Sequence, residues 1–331
     1  KLTGEHVTDA TNASRTLLYD IGAARWDEEL LELFGVPGRA LPRVLPSAGS
    51  FGVTRPQALH GHAVPVCGVA GDQQAALFGH ACVETGMGKN TYGTGSFVLV
   101  NAGAQAPAAP RGLLATVACS IGAERAYALE AAIFVTGAAV QWLRDGLGII
   151  ERAQDTEQLA RELDDNGGVY FVPALTGLGS PHWDAHARGT IVGLTRGSTR
   201  AHLARAALEA IAYQTVDAVR AIEQATGEPL RELRADGGAS TNAWLMQFQA
   251  DVLGVPVVLG RMPQTTALGA AYLAGVGAGL WTLADVRDGP GLGDTASSVG
   301  ERPRRYLPAL GEDERAALLA GWSDALERAR S

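Results

Sequence analysis

Asp72 is the residue whose setting first points to chemistry. It follows the apolar run 64–69 through Ala70 and Gly71, and the residues after it, 73–80, have helical spacing. In open α/β sheets the carboxyl ends of buried strands face a crevice, so a carboxylate placed there can act as general base towards an alcohol. The same position also suits a helix N-cap, where Asp72 would only bond backbone amides. Three glycine turns are the other candidates. Gly93-Thr94-Gly95-Ser96 offers amides and two hydroxyls that can cradle phosphate oxygens, although such a turn equally closes a hairpin. Asp236-Gly237-Gly238-Ala239 follows one strand candidate and opens a helix, whose N-terminus favours anions and close approach by a flat base or a ribose. A plain strand-to-helix turn would look the same. Gly177-Leu178-Gly179-Ser180-Pro181 says only loop. Competing chemistries lack their signatures: Gly88-Lys89 is followed by Asn90 rather than Ser or Thr, and neither G-x-S-x-G nor H-E-x-x-H occurs.

The elements that must position these residues alternate between short β-rich runs and helical patterns, which argues for α/β layers. Residues 97–100 form a strand candidate entered through the G-T-G-S turn. Residues 230–235 form another, leading into the second turn and then a helix through Leu245 and Phe248. The longest helix begins at Ser198 or Thr199 as cap and stops at Gly227, with Leu208, Ile211, Ala212, Thr215, Val219 and Ile222 on one core-facing stripe. Residues 312–330 read as an amphipathic packing helix with a solvated outer face. The stretch 262–284 carries Gly275 and Gly279 as G-x-x-x-G and is long enough to span a bilayer. Pro263, Gln264 and several Thr and Gly dilute it, so a small-residue helix buried between two layers is expected instead.

The chain has 331 residues and is 47% hydrophobic, which excludes disorder as its main state and suggests two domains. With a net charge of −8 and no basic cluster, neither nucleic acid nor an anionic membrane is an expected partner. Cys67, Cys82 and Cys119 are odd in number and far apart, so they read as buried thiols in a reducing compartment, with no metal-ligand spacing. No apolar signal core follows Lys1, which gives a cytoplasmic reading. In that compartment the acceptor tripeptide Asn12-Ala13-Ser14 has no consequence.

Several longer stretches, taken in order, resemble the glycerol kinases, within the sugar- and polyol-kinase family that has an actin-like ATPase (ribonuclease H-like) α/β fold. They are Val7-Thr-Asp-Ala-Thr-Asn-Ala-Ser-Arg-Thr16, Gly71-Asp-Gln-Gln-Ala-Ala-Leu-Phe-Gly79, Asn90-Thr-Tyr-Gly-Thr-Gly-Ser-Phe97 and Ala139-Val-Gln-Trp-Leu-Arg-Asp145. Gly189-Thr-Ile-Val-Gly193 and residues 202–209 resemble the wider family's second signature. The resemblance implies the end of a first, substrate-side domain at 1–79, a complete nucleotide-binding domain at 80–281 and a helical tail at 282–331. It implies Asp72 as the catalytic base and a glycerol contact, Gln73 as a hydrogen-bond partner of the triol and Phe97 as the apolar wall behind its carbons. Thr94, Gly137 and Gln141 correspond to nucleotide and phosphate contacts, and Gly238 with Asn242 to the adenosine end.

ATP and Mg²⁺ are implied, with no metal ligand in this chain, and a homo-oligomer is compatible. Such enzymes begin with a phosphate-binding hairpin and carry an Arg-Glu pair for the triol. Neither is recognised here, so the resemblance implies a fragment that is inactive alone. In the loop 51–63, Gln57-Ala-Leu-His-Gly-His62 replaces the basic stretch of relatives that bind a sugar bisphosphate. His60 and His62 lie near where some relatives carry a phosphorylated histidine, but they read as solvated. The alternatives are another polyol or sugar kinase of the family, or a non-catalytic nucleotide-binding module.

Overall fold

The structure, a computed structural model, describes residues 2–260, 262, 264–288 and 304–330. Its amino-terminal segment is built of small pieces. β1 (Val7–Asp9) leads into α1 (Ala10–Ala13), the antiparallel pair β2 (Tyr19–Asp20) and β3 (Arg25–Trp26), α2 (Glu28–Leu33) and then β4 (Arg43–Leu45), which pairs in parallel with β1. Asp9 is fully buried, which is tolerable only because five donors meet its two oxygens. They are the amides of Thr11 and Asn12, the Thr11 and Ser47 hydroxyls and Asn12 Nδ2, at 2.7–3.0 Å.

The expected buried strand at 64–69 is not one. Its apolar residues run extended against 47–54, bonded only through alternate groups such as Phe51 N–H to Val66 O and Val69 N–H to Ser47 O. Val64 is 45% exposed. A β-branched apolar run reads as a buried strand by composition, but here it lacks a long ladder and lies half-covered on the surface. Gly71 is the N-cap of α3 (Asp72–Gly79), and Asp72 is its first helical residue. The Gly71 amide is fixed by Thr11 Oγ1 at 2.8 Å, so the Asp9 cluster sets where α3 begins.

Four strands follow: β5 (Met87–Tyr92), β6 (Ser96–Gly103), β7 (Leu114–Ile121) and β8 (Glu124–Ile133). After them come α4 (Gly137–Gln141), α5 (Asp155–Arg161), the small antiparallel pair β9 (Tyr170–Val172) and β10 (Thr190–Val192), and α6 (Arg200–Thr226). The chain continues with β11 (Glu232–Asp236), α7 (Ala243–Leu253), β12 (Val257–Leu259), α8 (Thr265–Gly277), α9 (Leu283–Asp288), β13 (Arg305–Tyr306) and α10 (Glu312–Arg330). Seven strands make one mixed sheet in the order β13-β12-β11-β5-β6-β8-β7, in which β11 pairs in parallel with both β5 and β12.

The register divides this sheet into two unlike faces, because directly paired residues point the same way and alternate along each strand. Tyr92, Val98, Val100, Leu129, Ala131, Ile133, Leu233 and Ala235 belong to the main core beneath α6 and α7. The opposite face, towards α3, carries Lys89, Thr91, Phe97, Leu99, Glu130, Arg234 and Asp236. α6 follows its pattern: Thr199 caps it in a reciprocal box with His202, and Gly227 ends it at φ 72°. α10 has the expected bounds, and its Trp322 is buried, stacked on Tyr213 at 5.3 Å with its indole N–H on Asp217 at 2.7 Å.

Among the described residues no helix is long and apolar enough to cross a membrane. Within 262–284 the helix α8 covers only Thr265–Gly277, and Pro263 lies outside the described residues, as do 289–303 of the expected tail. The G-x-x-x-G is not a helix seam: Gly275 lies under the Trp281 ring and Gly279 follows the helix at φ 72°. The close approach is elsewhere, where a Cβ on Gly269 would overlap the Ala75 carbonyl and one on Gly79 the Thr265 carbonyl. Backbone-to-backbone contact between α3 and α8 therefore depends on two glycines. Cys82 is buried, whereas Cys67 and Cys119 are only half-buried, and all three are free.

Overpacking a tight core position typically costs about 1–3 kcal/mol. We expect Gly269→Val, which meets backbone rather than a flexible side chain, to lower urea-denaturation stability by about 3 kcal/mol. Gly311→Ala, with nothing within 4 Å of its added Cβ, is expected to stay within about 0.5 kcal/mol of the wild type. Equal stabilities for the two variants would disprove the contact.

Candidate functional site

The first turn of α3 places Asp72 in solvent and Gln73 half-buried beside it. The Gln73 amide N–H donates to Asp72 Oδ1 at 2.8 Å and its side-chain Nε2 lies 3.5 Å from Oδ2. Behind Gln73 stands Lys89, fully buried, whose ammonium donates to Gln73 Oε1 and to Thr91 Oγ1, the latter at 2.8 Å. Thr91 is the direct β-ladder partner of Phe97, so the register sets Phe97, 37% exposed, on the same face. Arg15 forks onto buried Glu130, with its second nitrogen at 2.8 Å, and closes the edge of this cluster. Asp72, Gln73 and Phe97 thus share the α3-facing side of the sheet: an open carboxylate, an amide and an exposed aromatic ring, chemistry suited to a small polyhydroxylic molecule.

The other five expected residues meet in one cavity of about 340 Å³, lined by Thr94, Gly137, Gln141, Gly238 and Asn242 among others. Its walls mix apolar groups (Val140, Ala239, Leu208, Leu245) with polar ones at Thr94, Gln141, Arg144, Gln154 and Glu157. An apolar slot with polar groups at its rim can hold a flat heterocycle joined to a charged tail. Local geometry explains the glycines. Gly137 N–H bonds the Gly93 carbonyl and Ala138 N–H the Thr94 carbonyl, which ties the β5–β6 turn to the start of α4. A Cβ on Gly95 would overlap the Ile133 carbonyl, whereas Gly238 has open space beside it.

Two expectations need correction. The G-T-G-S turn does not offer both hydroxyls and all its amides: Ser96 is buried with its Oγ 2.8 Å from Thr136 Oγ1, and the Gly93 N–H bonds Gly95 O. Only the Thr94 side of the turn is open. After Gly237 the chain makes a 3₁₀ turn, Gly238–Thr241, and α7 begins later, capped by Asn242 Oδ1 on the Leu245 amide at 2.9 Å. A fixed helix start therefore holds Asn242 with its Nδ2 free to face the cavity. His60 and His62 are exposed in their loop and belong to neither cluster.

Sequence reasoning missed His80, Lys89 and Glu130 and read Asp236 only as the lead into a glycine turn; the four form a buried titratable layer under α3. His80, at the other end of α3, puts Nε2 3.1 Å from Asp236 Oδ2, and both are buried. Burial lowers the affinity of His80 for a proton, and the attraction of Asp236 only partly offsets this. Burial disfavours the Asp236 charge as well, but His80, Thr91 and Lys89 outweigh it and hold the carboxyl down at about 2. Burial also draws the Lys89 ammonium down to about 8, against the attraction of Asp236, Glu130 and Asp72. The only sequence signal for this layer was the i, i+2 spacing of Lys89 and Thr91 along a strand. Arg144 and Glu157 at the cavity rim were likewise missed; Arg144 lies on a π-helical turn, Trp142–Gly146, of a kind that recurs at functional sites.

The α/β fold thus sets a polar cluster on one face of the sheet and a separate cavity at the strand ends. The chain belongs to the FGGY family of carbohydrate kinases, matching its N-terminal domain over residues 1–79 and its C-terminal domain over 88–278, and has their actin-like fold. It is 55% identical over 325 residues to a glycerol kinase of Aromatoleum aromaticum and 53% to one of Deinococcus radiodurans. These alignments cover 98% of this chain but 64% and 63% of those relatives. The crystal structure of Plasmodium falciparum glycerol kinase with ADP superposes with a TM-score of 0.89 at 32% identity, over 98% of this chain and 64% of that one. Xylulose kinase of Rhodospirillum rubrum gives 0.83 at 26% identity, over 99% and 65%.

Between the lowered folded pKa of His80 and its usual value of 6.5, the unfolded chain binds a proton that the folded chain refuses, so stability falls as pH drops through that interval. Asp236 acts in the same direction only at much lower pH, as pH falls from its usual 3.8 through about 2. We expect His80→Gln to lose less stability than the wild type between about pH 7 and about pH 5 in paired urea titrations. Parallel curves for the two proteins would remove His80 as the source.

Proposed function

We propose that this chain forms the nucleotide cavity and one side of the acceptor site of an ATP-dependent glycerol kinase, producing glycerol 3-phosphate and ADP. The observation that carries the reading is the convergence just described: Thr94, Gly137, Gln141, Gly238 and Asn242 line one cavity, while Asp72, Gln73 and Phe97 share the neighbouring face. The glycerol kinase relatives support the choice of acceptor, and the ADP-bound one supports that of nucleotide.

In this reading the adenosine lies between Gly238 and Asn242, with the apolar walls around the base, and the phosphates extend past Thr94, Gly137 and Gln141. The Asp72 carboxylate accepts the proton of glycerol's terminal hydroxyl. The hydroxyl oxygen attacks the γ-phosphorus, and the bond to the β,γ-bridging oxygen breaks, leaving ADP. Phe97 covers the carbon backbone and Gln73 bonds a hydroxyl.

Magnesium enters with ATP as part of the substrate, neutralising charge on the phosphates. Such an ion takes most of its ligands from phosphates and water. In this reading Asp72, exposed at the start of α3, is the open carboxylate nearest the chemistry. A cytoplasmic location suits an enzyme that draws on cellular ATP.

The test uses the chain extended to the length of its relatives. There Asp72→Asn is expected to keep ADP affinity by calorimetry while kcat falls about 10²–10⁴-fold. In a coupled ADP assay glycerol should far exceed xylulose, ribulose or gluconate. A preference for a pentose would reassign the protein to another kinase of the family, and near-normal turnover by Asp72→Asn would remove the base.

A further inference from the structure

The chain has only two lysines, Lys1 and Lys89, among 27 basic side chains. Arginine serves everywhere else, so general composition does not account for a lysine in the sheet. A compact ammonium has three donors and no acceptor, whereas a guanidinium is a wide planar fork. Lys89 is fully buried, and two of its donors are spent on Thr91 Oγ1 at 2.8 Å and on Gln73 Oε1.

An amide side chain can turn either end towards a neighbour, and density alone rarely tells the ends apart. Beside an ammonium the choice is forced, because the ammonium cannot accept: Gln73 must turn its oxygen inwards. Its Nε2 then faces outwards, where it lies 3.5 Å from Asp72 Oδ2. The alternative orientation would set two acceptors, an amide oxygen and a carboxylate, side by side at the mouth of the site. A hydroxyl has one proton to give and lone pairs to fill. If its proton goes to Asp72, its oxygen needs a donor.

We propose that Lys89 is a positioning residue of the acceptor site: by holding Gln73 Oε1 it makes Gln73 present an N–H beside Asp72, so that a hydroxyl is met by a donor at its oxygen and a base at its proton. The proposal rests on Asp72 and Gln73 being the acceptor site. Lys89 acts on substrate through Gln73 and touches neither substrate in this reading.

A double-mutant cycle on the chain extended to the length of its relatives separates this from a general structural role. Wild type, Lys89→Met, Gln73→Ala and the double variant are compared for glycerol KM, ATP KM and kcat. We expect Lys89→Met and Gln73→Ala each to raise glycerol KM about tenfold with ATP KM unmoved, and the double variant to be no worse than either single one. Additive effects, or an unchanged glycerol KM in Lys89→Met, would overturn the proposal. If Lys89→Met does not fold, Gln73→Glu keeps a partner for the buried ammonium while deleting the donor. It is expected to show the same rise, and a wild-type KM there would overturn the proposal equally. A wild type that does not phosphorylate glycerol, or full turnover by Asp72→Asn, overturns the functional reading and this proposal with it. Normal wild-type kinetics with Lys89→Met unmoved overturn the proposal alone.

Discussion

The structure depends on how α3 is held, because this eight-residue helix carries Asp72 and Gln73 at one end and His80 just beyond the other. Alone, a helix this short would not persist in water. Its start is fixed by the Asp9–Thr11–Gly71 relay, its first turn by Lys89 on Gln73 and its end by His80 against Asp236. Its flank lies so close to α8 that Gly79 and Gly269 leave no room for a Cβ. Each tie comes from a different part of the chain, so the helix is located by tertiary contacts rather than by its own propensity.

The sheet beneath it does two jobs because of its alternation. One face buries an apolar core under α6 and α7. The other buries titratable groups: Lys89, Glu130, Asp236 and, from α3, His80, whose burial favours the neutral ring. Such groups are expensive to bury singly and tolerable only when each meets a partner of opposite charge or a hydrogen bond. The shifts of Lys89 to about 8 and Asp236 to about 2 express that balance: for the lysine desolvation prevails, for the aspartate the partners do. A layer of this kind fixes orientation more than it adds stability, since apolar replacements of similar volume are often neutral or better.

Elements whose signals lie within one stretch of sequence were legible. α6 could be read from a capping threonine, a 3.6-residue stripe and a terminal glycine. α10 has the bounds its amphipathic pattern predicts, and the hairpin of β5 and β6 was marked by its glycine turn. The failures share a cause. The run 64–69 has the composition of a buried strand, but burial depends on what covers it, and nothing local says that 47–54 pairs with it only in alternate bonds. Within 262–284 the small-residue helix is α8, but that its Gly269 meets another backbone, at Ala75 and Gly79, was not legible. The charged layer was invisible for the same reason: Arg15 and Glu130 are 115 residues apart, and no periodicity links them.

The glycine turns show how a motif can be right in position and wrong in detail. The G-T-G-S turn could be read as a phosphate cradle because it has four amides and two hydroxyls. In the fold, Ser96 and the Gly93 N–H are consumed internally, and the Gly93 and Thr94 carbonyls are consumed in anchoring α4. What remains towards the cavity is the Thr94 side chain, while Gly137 lacks a Cβ where the Gly93 carbonyl packs against it. The turn's rigidity is thus obtained by spending most of its polar groups on itself. In the proposed reading, specificity then comes from the residues the turn positions, Gln141 at the end of the helix it anchors and Arg144 on the π-helical turn that follows, rather than from the glycine loop alone.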